Sequence, residues 1–596
     1  MIETKIREQT CNALRNLYGH ELKPDSVGLE KTKKEITGDY TLVVFSLLKI
    51  SRKSPEATAM EIGNFLQQHL PEMSGFNVIK GFLNLVLSDH FWVKFLVTNA
   101  VRPDFGFHKS RHEAPVVLEY SSPNTNKPLH LGHIRNNLLG FSLAEILKAN
   151  GQKVIKANLI NDRGIHICKS MLAYLKWGNN ETPVSTGMKG DHLIGKYYVL
   201  FNRYYKSEIR SLIEKGLTEE EAERQAPLIL EAQEILRKWE ARDTETVDLW
   251  KRMNGWAYEG FDLTYQHLGV DFDKIYYESE TYLLGKKLVL EGLQNGVLVQ
   301  KEDGSIWADL KNDGLDEKLL LRADGTSVYM TQDLGTAQLR YDDFHPSSMI
   351  YVVGNEQNYH FDVLKKVLTK LGKDYATHIN HLSYGMVELP EGKMKSREGT
   401  VVDADDLIDE MVRTAGETTR ELGKVNELST DEAVKLFNII GLGALKYFIL
   451  KVDPKKNMLF DPKESIDFNG NTGPFIQYAY ARIKSLLVRA ESVGLLWEDA
   501  VISSQMTLLP LEKETIKRLY QFQEVVAQAG NELSPAIIAN YVFELAKSFN
   551  QIYQELPVLK EPVQEKVVLR MTISKFTGRI IQKSMNLLGI AVPERM

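Results

Sequence analysis

Two histidines in a short glycine-containing stretch have the spacing that most clearly suggests chemistry. The stretch, Glu119-Tyr-Ser-Ser-Pro-Asn-Thr-Asn-Lys-Pro-Leu-His-Leu-Gly-His133, lies between a predicted strand and a predicted helix. An open α/β sheet binds ligands at such a junction. His130 and His133 would face a bound polyphosphate at the helix N-terminus, where the helix dipole favours an anion. Gly132 has no side chain, so a flat base could lie against its backbone.

A second stretch that could take part in catalysis follows the last predicted strand. It reads Gly392-Lys-Met-Lys-Ser-Arg-Glu-Gly399. Its flanking glycines would let Lys393 swing onto a departing pyrophosphate and neutralise the charge. Each stretch also has a structural alternative: helix-capping histidines for the first and a solvated basic turn for the second. Their order and their positions beside predicted strands favour the chemical interpretation.

The elements that must position these residues alternate between strand and helix. A charged, helix-forming region from about 177 to 300 interrupts the alternation. Strands alternating with helices are typical of a parallel sheet with crossover helices. The predicted strands are 114–120, 154–160, 348–354 and 378–387, and the predicted helices are 132–150 and 359–371.

The flanking regions have a different character. The N-terminal part predicts a small α/β domain, with a helix at 3–18, a strand-like run at 40–50 and a strand or hairpin at 77–88. Turn residues near 102–107 indicate a linker. From about Asp403 onward the pattern is helical, which predicts an all-α bundle. The predicted domains are 1–105, 110–400 with a helical insertion at about 177–300, 401–465 and 466–596.

Length and composition indicate an ordinary globular protein of roughly four domains. The hydrophobic share is 43% and the charged share 26%, and no stretch approaches the roughly 18 apolar residues of a membrane helix. The first residues lack an apolar signal core, so we expect a cytoplasmic protein without a membrane partner. Cys11 and Cys168 are too few for a zinc site of about four ligands, so we expect no metal site. The net charge of −6 argues against nucleic-acid binding but leaves local basic patches open.

The two stretches resemble the motifs of one enzyme class. The first matches the His-x-Gly-His signature of class I aminoacyl-tRNA synthetases, and the second resembles their mobile Lys-Met-Ser-Lys-Ser loop. Ser396 occupies the fourth position of that loop, where most class I enzymes carry a second lysine. Arginyl enzymes commonly lack this lysine and have one just ahead of His-x-Gly-His, the place of Lys127 here. The chain therefore resembles the arginyl-tRNA synthetase family.

Arginine recognition can be argued from charge, because a planar guanidinium is best held by carboxylates in fixed geometry. Glu119 and Asp333 are the candidates. The segment Tyr329-Met-Thr-Gln-Asp333 resembles the family's Tyr-x-Thr-x-Asp pattern, in which the tyrosine and the aspartate line the arginine pocket. Asn124 and Gln357 match family positions that contact the substrate. The structural alternative makes Tyr329 a core residue and Asp333 a helix N-terminal carboxylate.

The C-terminal part carries candidate RNA contacts. Asn471-Thr-Gly-Pro-Phe-Ile-Gln-Tyr-Ala-Tyr-Ala-Arg482 resembles the start of the family's helical anticodon-binding domain, and Arg482 could ion-pair with RNA. The last helix predicts a basic stripe that suits a phosphate backbone, although a solvated face explains it equally well. The stripe consists of Lys566, Arg570, Lys575, Arg579 and Lys583, of which Lys575 and Arg579 are the predicted tRNA contacts. The last ten residues also resemble the family's usual C-terminus.

A short motif of the N-terminal part, Gly81-Phe-Leu-Asn84, resembles one in the family's extra N-terminal domain. In the family, the aromatic residue and the asparagine contact a base in the tRNA D-loop. Alternation along a strand places Phe82 and Asn84 on one face, so both could meet a single nucleotide. The alternative is a core phenylalanine.

The resemblance implies a Rossmann-like catalytic domain and a two-step ligase reaction. Arginine and ATP, accompanied by Mg²⁺, would give arginyl-adenylate and pyrophosphate, and the 2′-hydroxyl of the 3′-terminal adenosine of tRNA(Arg) would then take the arginyl group. We expect activation to require tRNA, and a monomeric enzyme without zinc. The implied catalytic residues are Lys127, His130, Gly132, His133, Lys393 and Ser396, and His130, Gly132, His133 and Lys393 among them would bind ATP.

Three rival functions share some of these features. A cysteinyl-tRNA synthetase has the same class motifs but needs zinc ligands. A small-molecule nucleotidyltransferase could share the phosphate-binding fold but has no use for a long helical tail. A catalytically silent RNA-binding relative has no reason to keep the two histidines and Lys393.

Overall fold

The computed structural model describes residues 2–33, 35–110, 113–388, 402–423, 428–498 and 500–596. Lys393 and Ser396 lie outside the described residues. The chain forms two compact units, each assembled from separate segments. Unit 1 consists of Met1–Phe105, Leu486–Gln521 and Lys547–Arg579, and unit 2 consists of Gly106–Ser485, Phe522–Ala546 and Ile580–Met596.

The N-terminal part of unit 1 is the predicted small α/β fold, an antiparallel sheet of order β1-β2-β4-β3 with helices. The strand-like run at 40–50 was only partly right, because its strand ends at Val43. Val44 and Leu47 are the buried residues that follow, and their spacing of three suits the 3₁₀ turn found there. The elements are α1 (Ile2–Tyr18), β1 (Leu29–Lys31), β2 (Tyr40–Val43), α2 (Leu48–Ser51), α3 (Pro55–His69), β3 (Met73–Ile79), β4 (Phe82–Leu87) and α4 (Asp89–Ala100).

Unit 1 is completed by C-terminal segments that pack on this N-terminal fold. Lys513 forms an ion pair of 3.0 Å with Asp89, and Lys517 forms one of 2.5 Å with the buried Asp39. The Tyr520 hydroxyl accepts a hydrogen bond of 2.9 Å from the backbone N–H of Ile2. Contacts across more than 400 residues of sequence therefore hold this unit together.

The centre of unit 2 is a five-stranded parallel sheet of order β12-β11-β5-β6-β7, which confirms the predicted Rossmann-like fold. Its strands are short apolar runs, as expected where helices cover both faces. The first elements are β5 (Val116–Glu119), α5 (Leu131–Ala149), β6 (Val154–Ile160), α6 (Ile165–Trp177), α7 (Pro183–Thr186), α8 (Gly190–Glu214), α9 (Glu219–Gln225), α10 (Pro227–Glu240) and α11 (Thr244–Leu268).

The predicted helical insertion at about 177–300 contains a strand of the main sheet. This strand, β7 (Lys274–Tyr277), pairs in parallel with β6, so the sheet resumes earlier than predicted. Four residues inside a charged region give too short a pattern to reveal a strand. The remaining elements of this part are α12 (Glu278–Thr281), α13 (Leu284–Gln294), β8 (Val299–Gln300), β9 (Ile306–Ala308), β10 (Lys318–Leu321), α14 (Tyr329–Phe344), β11 (Ser348–Gly354), α15 (Asn358–Lys370), β12 (Ile379–Tyr384) and β13 (Val387–Glu388).

After Val402 the described chain is almost entirely helical, as predicted. The side chain of Asp403 begins α16 by accepting hydrogen bonds from the backbone N–H groups of Asp405 and Asp406. Helix α17 is long and apolar enough to cross a membrane, but 67% of its most apolar window is buried inside the fold, as in a core helix. The elements are α16 (Ala404–Glu421), α17 (Thr430–Leu450), β14 (Met458–Leu459), α18 (Pro462–Ser465), α19 (Gly473–Ser492), α20 (Pro510–Asn531), α21 (Pro535–Glu555) and α22 (Gln564–Leu587).

Candidate active site

A cavity of about 820 Å³ lies at the carboxyl ends of the parallel strands. Strand order reverses between β5 and β11, which is where open α/β sheets bind ligands. Residues from the ends of β5, β11 and β12 and from the beginnings of α5, α14 and α15 line the cavity. Two groups of residues that line the cavity are named after the ligands that the sequence analysis predicts for them. They are the phosphate wall (Lys127, His130, Gly132, His133) and the arginine wall (Tyr329, Asp333, Gln357, His360).

The two histidines of the phosphate wall cap α5 with their rings. His130 Nδ1 accepts a hydrogen bond of 3.1 Å from the backbone N–H of Gly132. His133 Nδ1 accepts one of 3.1 Å from the backbone N–H of His130. The ring centroids lie 3.9 Å apart. The arrangement is a reciprocal capping box in which two imidazoles replace the usual hydroxyl and carboxylate.

This capping fixes what each ring can offer a ligand. Because Nδ1 accepts a hydrogen bond in both rings, the proton of the neutral imidazole lies on Nε2 and can be donated. Burial lowers the pKa of His130 to about 4, and burial together with the neighbouring His130 and Lys127 lowers the pKa of His133 well below its usual value. Both rings are neutral at pH 7 in the free protein. Each ring can donate a hydrogen bond through Nε2, and the positive charge of this wall comes from elsewhere.

Lys127 provides that charge. Burial lowers the pKa of Lys127, and within the described part of the chain no carboxylate pairs with it. An ammonium without a counterion is poorly stabilised in a recessed site. A bound phosphate would supply the missing negative charge.

Gly132 is needed for a reason beyond access to the backbone. A Cβ at this position would lie 3.0 Å from Cε1 and 3.1 Å from Nδ1 of His130. The absence of a side chain therefore lets the His130 ring fold back over the helix terminus.

Strained backbone at the end of β5 was not predicted from the sequence. Ser121 and Ser122 have φ angles of 76° and 47°, in the left-handed region that non-glycine residues rarely adopt. The side chain of Asn136 accepts a hydrogen bond of 2.5 Å from the backbone N–H of Ser121, and Asn158 accepts one of 3.0 Å from that of Ser122. These buried amides hold the turn that leads from the sheet to Lys127.

The arginine wall centres on Asp333, which lies one turn into α14. Its Oδ2 is 2.5 Å from Nε2 of His360 on α15. Burial in the cavity raises the pKa of Asp333, while His360 lowers it. Tyr329 is 62% exposed and lines the cavity, which excludes the alternative that it is a core residue. Gln357 is exposed at the end of β11 and also lines the cavity.

Two of the predicted arginine contacts are placed less favourably. Glu119 is buried and paired with the guanidinium of Arg340, and its second oxygen accepts a hydrogen bond of 3.2 Å from the Ser122 hydroxyl. The charge of Glu119 is therefore already neutralised. Asn124 is exposed and lies on the loop before Lys127, outside the group of residues that line the cavity.

A further carboxylate near the arginine wall, Glu278, was missed by the sequence analysis. It follows β7 directly, at the same edge of the sheet. Burial raises the pKa of Glu278 to about 7, with further contributions from the charges of Asp162 and, to a smaller extent, Asp333, while Arg163 and the side chain of Gln332 lower it. Because β7 had been assigned to the helical insertion, no signal in the sequence connected Glu278 with this site.

The predicted tRNA contacts of the N-terminal part differ in their availability. Phe82 is 38% exposed and its ring lies against Phe45. Asn84 is fully buried, accepts a hydrogen bond of 2.7 Å from the Thr41 hydroxyl and donates one of 2.9 Å to Asn77. Alternation places both residues on one face, but only Phe82 presents its side chain to solvent.

The basic stripe of α22 is partly engaged in contacts within the protein. Arg570 is 2% exposed and pairs with Glu512 and Glu561, so it is not free to bind a phosphate, whereas the Lys575 side chain is 52% exposed. Lys575 pairs with Glu498, and Arg579 donates a hydrogen bond of 2.8 Å to the carbonyl oxygen of Asn99. Arg482 on α19 is half-buried, with its guanidinium 4.7 Å from the centre of the Tyr478 ring.

Comparison with known proteins decides the family. Residues 96–461, more than half of the chain, match the family model described as "tRNA synthetases class I (R), catalytic domain". The chain belongs to the class I arginyl-tRNA synthetase family. The flanking regions agree, because residues 4–87 match the arginyl-tRNA synthetase N-terminal domain and residues 476–596 match the DALR anticodon-binding domain.

Relatives of the family are similar over their entire length. The chain is 56% identical to the arginine–tRNA ligase of Phocaeicola vulgatus and 57% identical to that of Bacteroides thetaiotaomicron, with 100% of each chain covered. The structure is similar to that of the Thermus thermophilus arginyl-tRNA synthetase, with a TM-score of 0.80, 26% identity and full coverage of both chains. The Plasmodium falciparum arginyl-tRNA synthetase shares the fold, with a TM-score of 0.73 at 17% identity over 100% of this chain and 99% of that one.

Proposed function

We propose that this protein is an arginine–tRNA ligase: it activates arginine with ATP and transfers the arginyl group to tRNA(Arg). The observation that carries the proposal is the meeting, in one cavity, of a phosphate wall at a helix N-terminus and an acidic arginine wall. Family membership and relatives of that name, matched over the full chain, support it.

In the first step, a carboxylate oxygen of arginine attacks the α-phosphorus of ATP. The bond from the α-phosphorus to the bridging oxygen breaks, so pyrophosphate leaves with its electron pair and arginyl-adenylate remains. Such a step needs positioning and charge stabilisation more than a general base. The Nε2–H groups of His130 and His133 would donate hydrogen bonds to phosphate oxygens, and Lys127 would supply the positive charge. The magnesium ion expected with ATP belongs to the substrate.

In the second step, the 2′-hydroxyl of the tRNA's terminal adenosine attacks the arginyl carbonyl carbon. An ester forms, AMP leaves and the hydroxyl proton is released. We expect this protein to bind tRNA before activation, to act as a monomer and to work in the cytoplasm. Its two free thiols, Cys11 and Cys168, suit a reducing compartment. Phe82, Arg482, Lys575 and Arg579 remain proposed tRNA contacts, and Lys393 and Ser396 remain proposed members of the catalytic set. For Asn84, which is buried, the proposed contact would require its hydrogen bonds to Thr41 and Asn77 to break.

Recognition of the arginine side chain is assigned to Asp333 first. The second carboxylate is Glu278, which lies outside the group of residues that line the cavity but close enough to interact with the charge of Asp333. A guanidinium presents parallel N–H donors that suit carboxylate acceptors. Asp333 and Glu119 both line the cavity, but the charge of Glu119 is already paired with Arg340. Glu119 would not contact the substrate directly; through its bonds to Ser122 and Arg340 it would maintain the shape of the pocket. Tyr329 and Gln357 would lie on either side of the substrate.

The decisive experiment is exchange of labelled pyrophosphate into ATP, measured with each of the twenty amino acids, with and without total tRNA. We expect exchange with arginine alone, and only when tRNA is present. Exchange with arginine but without tRNA would retain the ligase and remove the coupling to tRNA. Exchange with another amino acid would overturn the assignment of the arginine wall to arginine. If the folded protein bound tRNA but gave no exchange, it would instead be a catalytically silent relative.

A further inference from the structure

A cluster of charged residues lies beside the phosphate wall, at the junction of α8 with α16. The Lys189 ammonium binds the carboxylate of Asp405 and donates a hydrogen bond of 2.6 Å to the Thr264 hydroxyl, which donates one of 3.0 Å to Asp405 Oδ1. His192 Nε2 lies 3.2 Å from Asp403 Oδ2 and 3.3 Å from Asp405 Oδ2. The cluster therefore joins two cations at the start of α8 to two carboxylates at the start of α16.

The acidic side of this cluster is joined directly to the backbone of the phosphate wall. Asp403 forms a β-bridge with His130. The backbone N–H of Leu131 donates a hydrogen bond of 3.1 Å to the carbonyl oxygen of Val402, and that of Ala404 donates one of 3.0 Å to the carbonyl oxygen of Leu129. The residues on both sides of His130 are thus bonded to the residues on both sides of Asp403.

The basic side of the cluster is equally fixed, because α8 packs closely on the same wall and on α11. A Cβ at Gly195 would lie 2.9 Å from Cδ of Pro128, the residue after Lys127. A Cβ at Gly260 on α11 would lie 2.4 Å from Oδ1 of the fully buried Asp191. Asp191 in turn lies 3.2 Å from the Lys189 ammonium. Helix α8 therefore contacts the Lys127 loop on one side and forms ion pairs with the start of α16 on the other.

The charges in the cluster suit a set of ion pairs better than a metal site. We call the contacts of Lys189 and His192 with Asp403 and Asp405 the clamp. One ligand atom each from His192, Asp403 and Asp405 lies within 4.8 Å of the others, a spacing that could hold a cation. The Lys189 ammonium already binds Asp405, and the nearby carboxylates of Asp403 and Asp405 raise the pKa of His192 to about 10. The two cations already contact the carboxylates of Asp191, Asp403 and Asp405, and their positive charges disfavour an added cation.

We propose that Lys189 and His192 are positioning residues for the activation step, which fix the segment of Asp403 against His130. The proposal rests on the proposed function. Loss of the clamp should impair use of ATP and leave arginine binding intact, because the arginine wall is built on α14 and α15.

The test measures arginine-dependent pyrophosphate exchange, with tRNA present, for wild type, Lys189→Met, His192→Gln and His192→Ala. We expect the KM for ATP to rise and kcat to fall by about tenfold in each variant, since a 1 Å misplacement near reacting groups costs as much or more, while the KM for arginine changes less than twofold. His192→Arg, which keeps the charge, should recover part of the loss. The matched control is Lys196→Met on the same helix, which removes an exposed ion pair with Glu181 and should leave all three constants unchanged.

A double-mutant cycle separates positioning from general damage. Asp405→Asn added to Lys189→Met should cost less than the sum of the two single changes, because both remove one interaction. Folded variants with ATP constants within twofold of wild type would overturn the clamp, as would an equal rise in the KM values for ATP and arginine. If Lys189→Met fails to fold, His192→Gln still tests the proposal, because glutamine keeps a polar side chain and removes only the charge and the ring. An inactive wild type would instead contradict the proposed function.

Discussion

The two walls of the cavity are built in different ways. The phosphate wall comes from seven consecutive residues, Lys127 to His133, and its histidine rings accept hydrogen bonds from backbone N–H groups within that stretch. The arginine wall depends on pairs distant in sequence: Asp333 with His360, and Glu119 with Arg340. A local wall can be recognised from a motif. A wall made of distant pairs can be recognised only once the fold brings its members together.

The largest expected effect concerns the distant pair behind the arginine wall. Arg340→Met leaves the Glu119 carboxylate buried without its partner, which should reduce the free energy of unfolding by about 3–5 kcal/mol. Urea unfolding followed by tryptophan fluorescence measures it. Arg413→Met, which removes an exposed pair with Glu417, should cost under about 1 kcal/mol. A loss of similar size in both variants would mean that the buried pair has no special role.

The next effect concerns the arginine wall itself. Asp333→Asn removes the charge that would bind the guanidinium, and loss of a charged partner costs about 2–5 kcal/mol. We expect the KM for arginine to rise at least about 30-fold, with the KM for ATP within twofold. Asp342→Asn, an exposed change on the same helix, is the control. Unchanged arginine affinity would remove Asp333 from the pocket and leave Glu278 as the candidate.

Substitution in the phosphate wall should have the opposite pattern to Asp333→Asn: it should slow catalysis and leave the KM for arginine nearly unchanged. Lys127→Ala removes the fixed positive charge beside two neutral histidines, and loss of one stabilising group of this kind lowers kcat by about 100-fold or more. The KM for arginine should remain within threefold, and Lys127→Arg should retain part of the activity. Single-turnover formation of arginyl-adenylate measures the effect. A rate within a few-fold of wild type would show that Lys127 does not replace the lysine missing at Ser396.

The smallest expected effect is a pH dependence of the KM for arginine, which tests whether Glu278 belongs to the arginine site. The pKa of Glu278 is raised to about 7 in the free protein, so the carboxylate is mostly ionised at pH 8 and mostly neutral at pH 6. Because only the ionised form attracts a guanidinium, the KM for arginine should rise by up to about tenfold as the pH falls from 8 to 6. Glu278→Gln should raise the KM at pH 8 and abolish its pH dependence over this range. A wild-type profile that is flat over this range would exclude Glu278 as a contact.

The fold and the phosphate wall were largely predictable because their signals are local. Apolar runs of about seven residues mark β6 and β11, and a 19-residue helix follows the histidine motif. The four residues of β7 and the small sheet of β8, β9 and β10 were missed because strands of two to four residues carry almost no periodicity. Missing β7 also hid Glu278, since only the sheet brings it to the edge where Asp333 lies.

Side-chain partners were the least predictable feature. The sequence indicated Glu119 as an acidic residue at the end of a strand, but its partner Arg340 is 221 residues away. The basic spacing of α22 was real, yet Glu512, which neutralises Arg570, lies on α20. Charge patterns along one element therefore suggest a surface, and the packing of other elements determines whether that surface is free.

The division of unit 1 into three segments has a consequence for synthesis on the ribosome. Residues up to 105 emerge first, but Lys513, Lys517 and Tyr520, which pack on them, are added only after about 410 further residues. At about 5–20 residues per second this interval lasts roughly 20–80 s. Throughout it, Asp39, buried in the finished protein, lacks the lysine that neutralises it. Truncated chains that end before residue 486 should therefore expose this surface to proteases and chaperones.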